Sequence, residues 1–219
     1  MYHCKIAATA TEFADIAQLN YATFVEEIPQ HQRNPQRELV DKFHEQNTYI
    51  VCYQDTQLLG MLAFRDVRPF SLDGKIGTIE DHLDADTCRK LCEIRLLAVK
   101  PEHRRSFVFL KLTQALYAYV LDGDYSACVI SGTTRQQKLY HKIGFSAFAP
   151  AVGEAEAQFV PMVLTAAQAQ AFHAPFQSQQ HTFYPGPVAQ TTALSHTDVS
   201  HRSQPFKQLQ QQVLTHLNQ

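Results

Sequence analysis

The sequence predicts a mixed α/β fold in which one sheet combines antiparallel strands with a single parallel pair. Two observations support this prediction. A strand, a helix, a strand and a helix follow one another over residues 93–143, and this order requires two parallel strands joined by a right-handed crossover. Short strands also occur in pairs before and after this unit, and the connection within the first pair is short enough for an antiparallel hairpin.

The N-terminal part of the chain contains a predicted strand and two predicted helices. Residues 5–9 are predicted as a short opening strand. Thr11 is a suitable cap for an amphipathic helix, because the apolar residues between positions 16 and 28 have the spacing of one helical face. The Glu26-Glu27 pair is interpreted as part of the solvated side of this helix, and a place beside a ligand cleft is the alternative. Residues 37–45 are predicted as a second, short helix.

A hairpin and a loop follow. Residues 49–53 and 58–65 are rich in strand formers and are separated by four polar residues, which predicts two antiparallel strands. Residues 66–80 contain many turn formers and are predicted as a loop with a short strand. Asp84 then caps a brief helix that ends near residue 91.

The central unit has the clearest periodicity in the chain. Residues 93–99 form an apolar strand, and residues 105–121 form the best predicted helix, with apolar side chains along one face. Residues 125–131 are predicted as a buried strand. Residues 134–143 form a short helix that Gly144 ends, because glycine adopts the left-handed cap conformation without strain. Ligands of such units bind at the carboxyl ends of the two parallel strands.

The last strands and the C-terminal segment complete the prediction. Residues 145–148 and 158–164 are predicted as an antiparallel pair, so that residues 1–165 form one domain. Residues 166–219 are predicted as a partly ordered extension rich in glutamine and histidine, with too few large apolar residues for a core of its own. Residues 206–217 have helical spacing and are predicted as a terminal helix.

Composition disfavours several classes of protein. The net charge of -2 shows no basic excess, which argues against a nucleic-acid partner. No apolar run approaches the roughly 20 residues that cross a membrane. The five cysteines are scattered and odd in number, which favours reduced thiols and a cytoplasmic location. No metal site is expected, because the histidines of the C-terminal segment lack ligand spacing.

Three segments of the sequence match one known superfamily. They are Glu-Ile-Arg-Leu-Leu-Ala-Val at residues 93–99, Pro-Glu-His-Arg at residues 101–104 and Leu-Tyr-His-Lys-Ile-Gly-Phe at residues 139–145. On these segments and their spacing, residues 5–164 resemble the GNAT superfamily of N-acyltransferases. The resemblance implies a mostly antiparallel sheet with a central parallel pair, flanked by helices. It also implies transfer of an acetyl or acyl group from coenzyme A to a primary amine of a small molecule or an amino acid.

The resemblance implies two catalytic residues. Tyr140 is expected to protonate the departing thiolate as a general acid. The alternative is a tyrosine whose ring only packs between helix and sheet. Glu93 is expected to act as a general base through a water molecule. The alternative is an ion pair with Arg95, which lies two residues further along and therefore on the same face of the strand.

The resemblance places the thioester donor at the end of the 93–99 strand and the start of the next helix. There the backbone bonds the pantetheine arm, and the helix N-terminus binds phosphate. The expected donor-binding residues are Leu97, Ala98, Val99, Arg104, Arg105, Ser106, Phe107 and Ser131. For Ser131 two alternatives stay open, since its hydroxyl at the strand end could contact the acceptor instead of the pantetheine arm, or could only cap the next helix. One departure concerns Phe107 and Phe109, because the family has small residues there, chiefly glycine, that let the backbone approach the phosphates.

This departure leaves the donor open. The phosphopantetheine of an acyl carrier protein would present one phosphate and no nucleotide. Residues 69–72 (Pro-Phe-Ser-Leu) and the 93–99 strand are also faintly similar to N-acyl amino acid and acyl-homoserine-lactone synthases, GNAT relatives that accept such donors. A third hypothesis, of a different class, is a module that has lost catalysis and only binds or regulates. Dimers are common in the family, so the resemblance also implies a second copy of this chain as a partner in a homodimer.

Overall fold

The computed structural model describes residues 2–153 and 158–177 and contains one sheet with helices on both faces. The strands are Tyr2–Ile6 (β1), Thr48–Gln54 (β2), Gln57–Arg65 (β3), Leu91–Val99 (β4), Ala127–Thr133 (β5), Ser146–Ala147 (β6) and Phe159–Thr165 (β7). The α-helices are Ala10–Tyr21 (α1), Asp73–Ile76 (α2), Ala85–Cys88 (α3), Val108–Asp122 (α4), Gln137–Lys142 (α5) and Ala166–Gln177 (α6). A π-helical turn, Ala22–Glu27, extends α1.

The strand order is β1-β2-β3-β4-β5-β7-β6. Neighbouring strands are antiparallel except for β4 and β5, which are parallel and are joined through α4. The predicted mixed fold, mostly antiparallel with a central parallel pair, is therefore confirmed. The predicted β2–β3 hairpin and the antiparallel pairing of β6 with β7 are confirmed as well.

The two parallel strands separate after a short stretch of pairing. Residues 91–93 of β4 pair with residues 127–129 of β5, and the described residues beyond them form no further pairs between these strands. Against β3, the stretch of β4 between Arg95 and Ala98 has one extra residue. Leu96 in this bulge has a left-handed backbone, with φ of 53°. A bulge bends its strand, so the end of β4 turns away from β5 and opens the sheet.

Successive residues of a strand point to opposite faces of the sheet, which separates two layers. On one side, called the α4 face, Cys128 and Ile130 pack in the same cluster as α4. This layer includes α6, where the rings of Tyr117 and Phe172 lie 5.7 Å apart. On the other side, called the α1 face, Val129 packs with apolar residues of the segment between β3 and β4. No helix in the described ranges has the length and apolar character that a membrane crossing needs.

The helix predicted over residues 37–45 is wrong. Arg37 has φ of 55°, which an α-helix does not contain, and only His44–Gln46 forms a 3-10 turn. The physical reason is tertiary. The carboxylate of Asp41 accepts two hydrogen bonds from Arg95 on β4, at 2.6 and 3.1 Å, and a third from the Phe43 amide. These bonds hold the segment in an irregular path that a helix would not allow.

Two predicted helix starts shift for local reasons. α1 begins after Thr9, not Thr11, because the Thr9 hydroxyl and the Glu12 carboxylate form a reciprocal capping box. α4 begins at Val108, not at residue 105, and the Ser106 hydroxyl accepts a hydrogen bond from the Val108 amide. The terminal helix predicted over residues 206–217 lies outside the described residues.

Candidate active site

The separation of β4 and β5 leaves a cleft that passes through the sheet. Its volume is about 710 Å³, within the range of sites that hold small molecules and cofactors. Leu97, Phe109 and Tyr140 line it on the α4 face, and Lys75 and Arg95 line it on the α1 face. Of the site residues predicted from the sequence, those that line the cleft are Leu97, Ala98, Val99, Arg104, Ser131 and Tyr140.

Tyr140 lies on α5 with its ring against the backbone of β5. A Cβ atom at Gly132 would come within 2.9 Å of this ring, so the glycine allows the close approach. The Tyr140 hydroxyl donates a hydrogen bond to Oε1 of Gln136 at 2.9 Å. Burial raises the pKa of Tyr140 to about 12. The hydroxyl therefore carries its proton at neutral pH and can donate it inside the cleft.

Glu93 is fully buried next to the cleft. Its carboxylate accepts hydrogen bonds from the Ser71 amide at 2.8 Å, the Ser71 hydroxyl at 2.5 Å and the Leu72 amide at 3.0 Å. Nε of Arg95 lies 3.7 Å away, so the alternative ion pair is present but long. Ser71 itself lines the cleft. The Ser71 hydroxyl therefore connects the buried Glu93 carboxylate to the cleft by a hydrogen bond.

The start of α4 differs from an open phosphate-binding loop. Nε of Arg104 donates to the Val99 carbonyl at 3.0 Å, and the Arg104 guanidinium forms a two-bond ion pair with Glu27. This hydrogen-bonded pair holds the pKa of Glu27 below its usual value. Arg105, Ser106 and Phe107 lie outside the cleft lining, and Phe107 is 66% exposed. Of the two interpretations of Glu27 made from the sequence, the structure supports the place beside the cleft, although the side chain is still 40% exposed.

Ser131, at the end of β5, meets a residue that the sequence did not single out. Nζ of Lys75 donates a hydrogen bond to the Ser131 hydroxyl at 2.6 Å. The same ammonium lies 4.0 Å from the centroid of the Phe159 ring, a favourable cation–π contact. Burial lowers the pKa of Lys75, the charge of Glu93 raises it, and the charges of Arg95 and Lys42 lower it further. A positive charge thus lies in the cleft on the α1 face.

Arg95 connects the cleft wall to the segment between α1 and β2. Its guanidinium bonds Asp41 and lies 4.7 Å from the ring centroid of Phe43, and the guanidinium of Arg65 lies 4.0 Å from the same ring. Burial acts to raise the pKa of Asp41, but the hydrogen bonds from Arg95, together with those from Asn47 and Phe43, hold it below its usual value. The pair fixes one wall of the cleft on the α1 face.

Sequence reasoning missed Lys75, Lys42 and Asp41 for a common reason. Lys75 lies on a helix of four residues, and Lys42 and Asp41 lie in an irregular segment, so hydrophobic periodicity provides no signal for any of them. The only sequence signal near them was the Pro-Phe-Ser-Leu stretch at residues 69–72, which precedes α2 directly.

Solved structures show where this fold occurs. BjaI, a CoA-dependent acyl-homoserine lactone synthase solved with MTA, superposes with a TM-score of 0.67 at 14% identity, over 86% of this chain and 96% of that chain. FeeM, an N-acyl amino acid synthase from uncultured soil microbes, has a TM-score of 0.63 at 15% identity, over 82% and 99%. A putative N-acetyltransferase from Lactobacillus plantarum has a TM-score of 0.56 at 19% identity, over 75% and 98%.

A family comparison extends this result from fold to function. A search against curated protein sequences returned no match. The family model described as N-acyl amino acid synthase FeeM matches residues 15–168, which include the cleft and most of the sheet. This match confirms the prediction of an acyltransferase enzyme, in preference to the alternative of a non-catalytic module. The chain belongs to the N-acyl amino acid synthase FeeM family.

Proposed function

We propose that the protein transfers an acyl group from a thioester to the α-amino group of an amino acid. The observation that supports this most strongly is the cleft between β4 and β5, which is open to both faces of the sheet. A thioester entering from the α4 face would meet Tyr140. An amine entering from the α1 face would meet Ser71 and Lys75. The family description supports the same reaction.

The proposed reaction forms one C–N bond and breaks one C–S bond. The neutral amine attacks the thioester carbonyl carbon, and the C–S bond breaks as the tetrahedral intermediate collapses. Nitrogen loses one proton and sulfur gains one. Backbone N–H groups near Val99, beyond the part of β4 that pairs with β5, would bind the carbonyl oxygen as charge develops on it. Binding both substrates in one cleft provides much of the acceleration.

Tyr140 is the proposed proton donor to the leaving sulfur. With a pKa of about 12, the hydroxyl is protonated throughout the neutral range. A thiol ordinarily has a pKa of about 8.5, so complete transfer is uphill by about 5 kcal/mol unless it accompanies C–S cleavage. We therefore assign Tyr140 a proton donation concerted with bond breaking. Its hydroxyl must turn from Gln136 to the sulfur.

Glu93 is proposed to accept the amine proton through Ser71. The Ser71 hydroxyl lines the cleft and donates to Glu93 at 2.5 Å, so it can pass its proton to the carboxylate as it takes one from the amine. Two backbone amides also donate to the carboxylate and hold its oxygens in place beside Ser71.

The two candidate carriers of the acyl group, coenzyme A and an acyl carrier protein, would contact different parts of the protein. Coenzyme A is the first candidate, and the description of BjaI as CoA-dependent supports it. An acyl carrier protein is the second, because the exposed Phe107 ring next to Arg105 at the start of α4 forms an apolar and cationic surface outside the cleft. Thermal unfolding with micromolar coenzyme A separates them. A rise in melting temperature supports coenzyme A, and no rise supports the carrier protein.

The reaction is tested by measuring thiol release from decanoyl-coenzyme A and a decanoyl carrier protein with a panel of amino acids. We expect product formation with at least one amino acid, and a decrease in kcat of about 10²- to 10⁴-fold in Tyr140→Phe, as for loss of a general acid. Tyr2→Phe, on the edge strand β1, is the matched control. Wild-type turnover by Tyr140→Phe would remove Tyr140 from the mechanism. No amino acid product with either donor would refute the proposed function.

A further inference from the structure

The charges that line the cleft do not cancel. Arg104 pairs with Glu27, and Arg95 pairs with Asp41. Two further cations, Lys42 and Lys75, also line the cleft, and neither forms an ion pair with any described residue. These lysines give the cleft lining an excess of two positive charges, of which the buried Glu93 carboxylate behind the lining offsets one. An excess charge in a partly desolvated cavity favours a ligand of opposite sign.

The position of Lys75 shows which substrate would carry that negative charge. Ser131, its hydrogen-bond partner, follows Ala127 and Val129 on the α1 face of β5, since alternate residues share a face. The start of α4, where donor phosphates are expected, lies on the opposite face of the sheet. An anion at Lys75 is therefore separated by the sheet from the donor phosphates, and it belongs to the acceptor.

Neighbouring groups orient the Lys75 ammonium towards one small anion. One of its three N–H bonds is directed to the Ser131 hydroxyl, and the Phe159 ring covers another side at 4.0 Å. The remaining donors are available to the cleft. Ser131 accepts from Lys75, so its own hydroxyl hydrogen can donate to a second oxygen of the same anion. Two donors at adjacent positions match a carboxylate, which has two acceptor oxygens.

We infer that Lys75 and Ser131, with Lys42 nearby, form a recognition site for the α-carboxylate of the amino-acid acceptor. This inference rests on the proposed function and adds a specificity determinant to it. A carboxylate held there fixes the acceptor on the α1 face, so that its amine points towards Ser71 and the thioester. The site selects free amino acids over amines that lack a carboxylate.

The test compares an acceptor that has the carboxylate with one that lacks it. L-leucine and L-leucinamide are measured with decanoyl-coenzyme A, or with the decanoyl carrier protein if that is the active donor. The quantity of interest is the ratio of the two kcat/KM values in the wild type, Lys75→Gln and Lys75→Arg. Comparing this ratio between variants cancels the different intrinsic reactivities of the two amines. Lys138→Gln, an exposed lysine on α5 outside the cleft lining, is the control.

We expect Lys75→Gln to lower the leucine-to-leucinamide ratio by about ten- to hundredfold, the effect of losing one charged hydrogen bond. The KM for the donor stays within about twofold of wild type in this expectation, and kcat/KM for leucinamide falls less than kcat/KM for leucine. Lys75→Arg retains most of the ratio, and Lys138→Gln retains all of it. An unchanged ratio in Lys75→Gln, or an effect confined to the KM of the donor, overturns the inference.

A binding measurement separates this inference from the proposed reaction. Calorimetric titration compares N-decanoyl-L-leucine with N-decanoyl-L-leucinamide, and it needs no turnover. We expect the carboxylate form to bind about tenfold more tightly or better to the wild type, and equally to Lys75→Gln. If no amine is acylated but this preference is found, the reaction is wrong and the carboxylate site stands. If amines are acylated and wild type binds both ligands equally, the reaction stands and the carboxylate site is wrong.

Discussion

Substituting Gly132 by alanine tests whether the position of the Tyr140 ring controls both stability and activity. A Cβ atom at residue 132 would lie 2.9 and 3.0 Å from two ring carbons of Tyr140 and 3.1 Å from the sulfur of Met162. Unstrained carbon contacts begin at about 3.5 Å, so the ring must move by about 0.6 Å. Gly74→Ala is the matched control, because a Cβ atom there meets no atom within 4 Å.

The magnitude follows from this displacement. Adding a methyl group to a packed interior costs about 1–3 kcal/mol of unfolding free energy, which is about 2–4 °C in melting temperature per kcal/mol for a chain of this size. A misplacement of 1 Å at a reacting group reduces the rate by about 10²-fold. We therefore expect Gly132→Ala to lower kcat by about tenfold, while the KM for the acceptor changes little.

Two measurements check this reasoning. Thermal unfolding reports the stability, and thiol release from decanoyl-coenzyme A or a decanoyl carrier protein reports the activity. If the loss of activity acts through the hydroxyl of Tyr140, Gly132→Ala causes no further loss in the Tyr140→Phe background. A Gly132→Ala protein with wild-type stability and activity would refute the reasoning, since the ring would then move without consequence.

Three further predictions concern other parts of the fold. Asp41→Asn should destabilise the protein by about 1.5–3 kcal/mol, because the Arg95 guanidinium loses its charged hydrogen-bond partner and keeps only the longer ion pair with Glu93. Urea denaturation measures this loss, and a loss below about 1 kcal/mol would contradict it. The pKa of Asp41 is lowered in the folded state, so the wild type should lose the stability that the Asp41–Arg95 ion pair provides only as the pH falls below about 4. Asp41→Asn should not show this loss at acid pH. Parallel acid titrations of the two proteins by circular dichroism test the prediction. Four of the five cysteines are buried, and burial raises the pKa of the Cys92 thiol. We therefore expect at most Cys88 to react quickly with a thiol reagent in the folded protein. Reaction of three or more thiols before unfolding would disprove the packing of the sheet.

Much of the sheet follows from local patterns. The apolar strand at residues 93–99, the helix after it and the Gly144 stop are each visible in the sequence, because alternation and helical spacing are properties of neighbouring residues. The same patterns place Tyr140 and Ser131 at the ends of a βαβα unit, and both residues line the cleft. The irregular segment between α1 and β2 was not predicted, because an ion pair between Asp41 and Arg95, distant in sequence, determines its path.

The sequence by itself determined the fold class, the parallel strand pair and the class of reaction, since these depend on motifs and periodicity within short stretches. Only the tertiary structure decided which charges share the cleft. Arg104 bonds Glu27 and the Val99 carbonyl, and Lys75 bonds Ser131, which lies 56 residues further along the chain. Electrostatic interactions depend on distance in space and not along the chain, so a four-residue helix without any sequence signal supplies the cation in the proposed acceptor site.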